Sequence, residues 1–230
     1  MKYIKNFRKV IFLSLKNDWM SKDPFMRFSS KLQQVERGFL TGDELSKIEN
    51  KRILAPRVEK VRDVFVFACY TGLAYVDVSK LTHDNIVTGI DGMKWIFINR
   101  TKTNTKSRIP LLPKAEEILG KYTDLSNEKL EGPIFPDISN QKMNAYLKEV
   151  GDLCEVDKNL TFHLARHTFA TTVTLTNGVP IESVSAMLGH KSIRTTQIYS
   201  KVVEEKVGED MDLLRKKLGE KSRVKLKPGN

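Results

Sequence analysis

Apolar residues recur at three- and four-residue intervals through Ile4, Phe7, Ile11, Leu15 and Trp19, the period of one helix face, and predict a helix over residues 2–20. Asp23-Pro24 ends it, because the residue before proline disfavours helix. Residues 23–40 show no clear period and mixed charge, and read as a linker. A lone helix before a linker cannot bury its own apolar face. Residues 1–22 are therefore expected to be the last helix of a preceding domain; a terminal helix docked on the main core is the alternative. The main domain, 41–220, opens with Thr41 and Glu44 in capping-box spacing ahead of a helix to about Asn50. A buried helix follows at 57–70, stopped by Gly72, with a short helical turn at 75–81.

The period then switches. Trp95-Ile96-Phe97-Ile98 and residues 108–112 read as two strands joined by a polar turn at 103–106, and 86–90 supplies a third. Helices resume at 114–122 and 139–152. Thr161 is the expected N-cap of a helix at 162–176, stopped by Asn177-Gly178, and Pro180 opens another at 181–188. Gly189 closes that helix, Ser192 caps a short one through Tyr199, and a last helix spans 203–218 before a basic tail, 221–230. The expected fold class is α+β: mostly helical, with one small three-stranded antiparallel sheet.

Composition changes the picture through charge. The 230 residues carry a net charge of +11, with 39 Lys+Arg against 28 Asp+Glu, which favours a polyanionic partner. No apolar run approaches the roughly 18–20 residues of a membrane span. The basic start leads into an apolar stretch at 10–15 that Ser14 and Lys16 interrupt, short of a secretory core. Cys69 and Cys154 sit in apolar settings, so no disulfide framework is expected, and the chain reads as intracellular, with a cytoplasmic location.

Between Gly92 and Ala115 stand six basic residues, Lys94, Arg100, Lys102, Lys106, Arg108 and Lys114, and no acidic one. Such a hairpin suits a phosphate backbone, although a solvated basic hairpin has the same composition. Strand alternation would aim Arg100 and Lys102 from one face at one phosphate. In His163-Leu164-Ala165-Arg166-His167, the three-residue spacing makes His163 and Arg166 helix neighbours able to donate to two phosphate oxygens. His163 and His167 have zinc spacing, but no acidic or cysteine ligand lies near, and no metal site is expected. His167 reads as a core histidine. Tyr199, nine residues after His190, is a poor nucleophile at its ordinary pKa of about 10 unless cations stabilise the phenoxide.

His163-x-x-Arg166, Leu188-Gly189-His190 and Tyr199, preceded by Tyr70-Thr71-Gly72-Leu73 and by Lys102 in Thr101-Lys102-Thr103, together resemble the tyrosine recombinase (phage integrase) family. The likeness runs from about residue 40 to 205, with residues 1–22 resembling the end of the family's core-binding domain. It is particularly similar to mobile-element integrases of Bacteroides-type bacteria, which carry Thr-Gly-Leu-Ala-Tyr. The resemblance implies the family's catalytic fold and a site-specific recombinase that cuts and rejoins double-stranded DNA through a 3′-phosphotyrosine, without metal or cofactor. By the same resemblance Tyr199 is the nucleophile and Lys102 the general acid. Arg166, His163 and His190 hold the non-bridging oxygens, and Asp77 orients a histidine or arginine. Lys94, Lys106, Arg108, Lys191 and Arg194 are expected along the DNA backbone. The apolar stripe at 203–218 is expected to dock on a neighbour in a tetramer. A helix-turn-helix regulator built from 181–188 and 193–199, and a type IB topoisomerase, are the alternative readings.

One position departs from the pattern. The family carries arginine after Thr-Gly-Leu, and Ala74 stands there. Loss of such a clamp costs about 10²–10³ in rate. Either catalysis is weak or another arginine fills the space, with Arg100 the first candidate and Arg108, across the hairpin, the second.

Overall fold

The computed structural model describes residues 2–29, 38–123 and 132–199, and beyond them residues 208, 211, 214–216 and 218. The chain divides into two units, residues 1–36 and 37–230. In the first, helix α1 (Lys2–Lys16) stops eight residues before Pro24. Asp18 takes a positive φ of 56° and Trp19 N–H reaches back to Ser14 O, a left-handed ending that proline has no part in. Asp23-Pro24 instead starts a turn, in which the Asp23 carboxylate accepts from Phe25 N–H at 2.8 Å. Phe25 packs edge-on against Phe7 and Phe28.

The second unit runs from residue 37. Thr41 and Glu44 form both bonds of the capping box ahead of α2 (Gly42–Asn50). Pro56 opens α3 (Pro56–Thr71), whose missing amide costs nothing at a first helical position. This helix is buried almost all round and packs against α2, α5 (Pro113–Thr123), α6 (Asn140–Leu153) and α7 (Phe162–Thr168). Gly72, at φ +67°, ends it. The one-turn helix α4 (Tyr75–Val78) follows.

Strands β1 (Ile86–Thr88), β2 (Lys94–Asn99) and β3 (Lys106–Pro110) form the expected antiparallel sheet, in the order β1-β2-β3. Ile96 pairs with Ile109 and both are wholly buried, whereas Phe97 pairs with Arg108 on the solvent face. Here the period-2 pattern translates directly into an inner and an outer face.

The segment expected to be one helix at 162–176 is broken into three parts. After α7 the chain widens into a π-helical stretch, Phe169–Thr174, then tightens into a 3-10 turn, Leu175–Asn177. Threonine hydroxyls drive the change. Thr168 and Thr171 each bond the carbonyl four residues back, and Thr174 bonds both Phe169 O and Ala170 O at 2.9 Å. Thr168 and its neighbour Thr172 also hold the entry to the unit. Thr168 Oγ1 accepts from Leu40 N–H at 3.0 Å and Thr172 donates to Leu40 O. Leu40 is fully buried.

Helix α8 (Ile181–Met187) is as expected, but residues 193–199 form two 3-10 turns, Ile193–Thr195 and Gln197–Tyr199, with no α-helix. The second helix of a helix-turn-helix is therefore missing. Thr196, its hydroxyl engaged by His190, divides the two turns. A small second core gathers Phe169, Ala170, Leu175, Val184, Leu188 and Tyr199. Most of the helix expected at 203–218 lies outside the described residues; Gly208, Met211, residues 214–216 and Leu218 are helical and exposed. The expected tail at 221–230 also lies outside them. Among the described residues, no helix is long and apolar enough to cross a membrane.

Candidate active site

The C-terminus of α8 leaves backbone carbonyls without helical partners, and such groups must be satisfied from elsewhere. The β2–β3 hairpin satisfies three in succession. Ser107 donates to Met187 O, Arg100 Nη1 to Leu188 O at 2.9 Å, and Thr105 Oγ1 to Gly189 O at 2.7 Å. Arg166 Nη2, from α7, donates to the same Leu188 O at 2.6 Å, and its Nη1 to Gly72 O at 2.7 Å. One carbonyl thus gathers two guanidiniums. The negative end of the helix dipole favours both.

This geometry explains two glycines of the motif. Gly189 sits at φ +60°, and a Cβ there would lie 2.8 Å from Arg100 Cγ. Gly72, at φ +67°, would place a Cβ 2.4 Å from Phe169 Cδ1. Each lets a neighbouring side chain pass against the backbone that anchors an arginine.

Arg100 and Arg166 are both 7% exposed. Asp77, also buried, approaches Arg100 Nε at 2.7 Å and accepts from Thr101 N–H at 2.9 Å. The acidic residue thus orients an arginine, and that arginine is Arg100. Burial lowers the pKa of Arg100, with Asp77 opposing. Arg166 is pushed down to about 10 by burial and by Arg100, with Tyr199 and Asp77 opposing, and so stays charged at neutral pH. Two cations against one carboxylate leave a surplus of one positive charge, matching one phosphodiester.

His190 completes the cluster. Its Nε2 lies 2.9 Å from Arg166 Nη2 and its Nδ1 lies 2.8 Å from Thr196 Oγ1. A guanidinium only donates, so Nε2 accepts and Nδ1 carries the proton toward the threonine. Burial and the two arginines push the His190 pKa down to about 4, so the ring is neutral at pH 7.

His163, Arg166, Asn140 and Asn144 line a cavity of about 370 Å³ together with Ala74. The cavity borders the alanine, and Arg100 reaches the Leu188 carbonyl that Arg166 also bonds. Tyr199 is 7% exposed and packs in the second core, its ring 5.2 Å from that of His167, which lies 4.5 Å from His163.

The structure therefore brings together Asp77, Arg100, Arg166 and His190, with Tyr199 beside them. It does not align Lys102 with Arg100 as strand alternation suggested. Strand β2 ends at Asn99, Arg100 turns inward, and Lys102 lies exposed in the following turn. Arg108 stacks on Phe97 at 5.0 Å, on the solvent face, which removes it as the replacement arginine. Lys94, Lys106, Lys191 and Arg194 are exposed. Sequence reasoning missed Thr105, Ser107 and Thr196. Their hydroxyls are decided by partners 80 or more residues away or by a turn with no spacing signature.

Buried paired guanidiniums, an imidazole and a neighbouring phenol are the equipment of a phosphoryl-transfer enzyme that works through a tyrosine. Residues 38–206 match the phage integrase family, and the chain belongs to that family of tyrosine recombinases. Tyrosine recombinase XerD of Listeria innocua is 27% identical over 217 residues, covering 88% of this chain and 71% of the relative. The fold is similar to XerH site-specific recombinase in a post-cleavage complex with palindromic difH substrate. That match has a TM-score of 0.61 and 18% identity, and covers 83% of this chain and 58% of that one. It is also similar to a lambda integrase dimer bound to a COC′ core site, with a TM-score of 0.64 and 21% identity, covering 84% and 68%.

Proposed function

We propose that the chain cuts and rejoins double-stranded DNA at specific sites through a 3′-phosphotyrosine, in the integration or excision of a mobile element. The observation that carries this reading is the pair of buried guanidiniums, Arg100 and Arg166, held on Leu188 O with His190 and flanked by Tyr199. Arg100 takes the place of the arginine absent at Ala74. The two guanidiniums bind the non-bridging oxygens of the scissile phosphate, where negative charge grows in the transition state.

Tyr199 loses its phenolic proton and attacks phosphorus, and the 5′-oxygen leaves with a proton from Lys102. The bond energy stays in the phosphotyrosine until a 5′-hydroxyl of a second strand displaces the tyrosine. His163 lies on the cavity wall with Arg166 and donates to the same phosphate. His190, neutral in the free site, accepts from Arg166 and, once phosphate binds and Nε2 takes up a proton, donates to the phosphate. The exposed Lys94, Lys106, Arg108, Lys191 and Arg194 contact the flanking backbone. Residues 1–22 close a core-binding domain, and the exposed Met211, Leu214 and Leu218 dock on a neighbouring protomer in a tetramer.

The test is covalent capture. The wild-type chain is incubated with a random-sequence pool of nicked duplexes, and adducts resistant to denaturant are isolated. Adducts from the wild type and none from Tyr199→Phe are expected. Equal yields from the two would refute the proposal.

A further inference from the structure

Tyr199 closes a 3-10 turn through its amide bond to Thr196 O at 3.0 Å. Its ring, 7% exposed, is packed by side chains on more than one side. On one side stand the apolar residues of the second core. On another stands His167, 3% exposed and not used in the chemistry above. The two rings meet at 5.2 Å and 68°, in the range where an aromatic edge against a face is attractive. His167 in turn meets His163 at 4.5 Å and 87°. The two histidines are four residues apart on α7, so one helix face stacks them. Arg166, between them, leaves the same helix toward Gly72 O and Leu188 O.

We propose that His167 is a positioning residue for Tyr199: its ring, edge-on to the phenol, transmits the placement of α7 to the nucleophile. The consequence is that phosphate clamp and nucleophile are referenced to one rigid element. Arg166 fixes the phosphate relative to α7, and His167 fixes the tyrosine relative to the same helix. Thr168 at the end of α7 and Thr172 in the π-helical stretch that follows tie α7 to the backbone of Leu40. Positioning of this kind acts on the rate of attack and leaves DNA affinity untouched, because the histidine is buried away from solvent.

This inference rests on the covalent mechanism proposed above, and its test separates the two. Adduct formation is timed for the full chain on a nicked duplex recovered by the wild type, with DNA affinity measured in parallel. His167→Ala is expected to slow attack about ten-fold, the scale of one edge-to-face contact, at unchanged DNA affinity. His167→Phe, which keeps a ring edge in place, is expected to recover the rate to within about three-fold. An unchanged rate in His167→Ala overturns the proposal, as does a His167→Phe protein as slow as the alanine variant. Should either variant fail to fold, proton–proton cross-relaxation between the His167 and Tyr199 rings of the wild type decides it. A cross-peak supports the placement and its absence refutes it. A wild type that forms no adduct refutes the covalent mechanism, and this inference with it.

Discussion

Replacing Arg100 by alanine probes both the stability of the site and its chemistry. The guanidinium lies 2.7 Å from Asp77 and 2.9 Å from Leu188 O, with side-chain exposures of 8% for Arg100 and 2% for Asp77. Its removal leaves a buried carboxylate whose charge loses its counterion, keeping the Thr101 amide. Breaking a buried pair by deleting one partner costs about 3–5 kcal/mol. For a unit of this size that lowers the melting temperature by about 10 °C. Arg100→Ala combined with Asp77→Asn should recover at least half of the loss, because the orphaned charge is gone. The rate of covalent capture, measured well below the melting transition, should fall about 10²–10³-fold in both the single and the double variant. Calorimetry and timed adduct formation separate the two effects. Arg100 would be a scaffold and no phosphate clamp if the double variant regained both stability and rate, or if Arg100→Ala cleaved like wild type.

Gly189→Ala should destabilise the protein by about 2 kcal/mol in urea unfolding and abolish adduct formation, because the new Cβ needs φ +60° and meets Arg100 Cγ at 2.8 Å. His190 should titrate near 4 in free protein by NMR, and higher once an oligonucleotide phosphate occupies the site. Its pKa is depressed from the ordinary value of about 6.5, so folding takes up no proton there, and the unfolded chain binds more protons between the two values. The stability contribution is therefore complete above about pH 6.5 and is lost as pH falls toward 4; His190→Gln should flatten that slope in melting curves. Lys106→Ala and Arg108→Ala should each lower the slope of log affinity against log salt by about 0.9, measured by anisotropy on duplex DNA.

The sequence by itself determined most of the elements, because their causes are local. The Thr41–Glu44 box, Gly72 and the alternation through Trp95–Ile98 act within a few residues, and helix ends and sheet faces follow. It also supplied the order of arginine, histidine and tyrosine along the chain. The break in α7 was less legible. The hydroxyls of Thr168, Thr171 and Thr174 compete for carbonyls of the preceding turn, a choice that a hydrophobic period does not record. The placement of Arg100 was decided by tertiary structure alone. Counting along a strand aimed it with Lys102, but the strand ends one residue earlier, and the carbonyl of Leu188, 88 residues away, draws it inward. The same holds for the hydroxyls that close α8 and for His167 against Tyr199. Periodicity records which face of an element is buried; which unsatisfied carbonyl or ring waits there is a property of the partner element, and only the assembled fold supplies it.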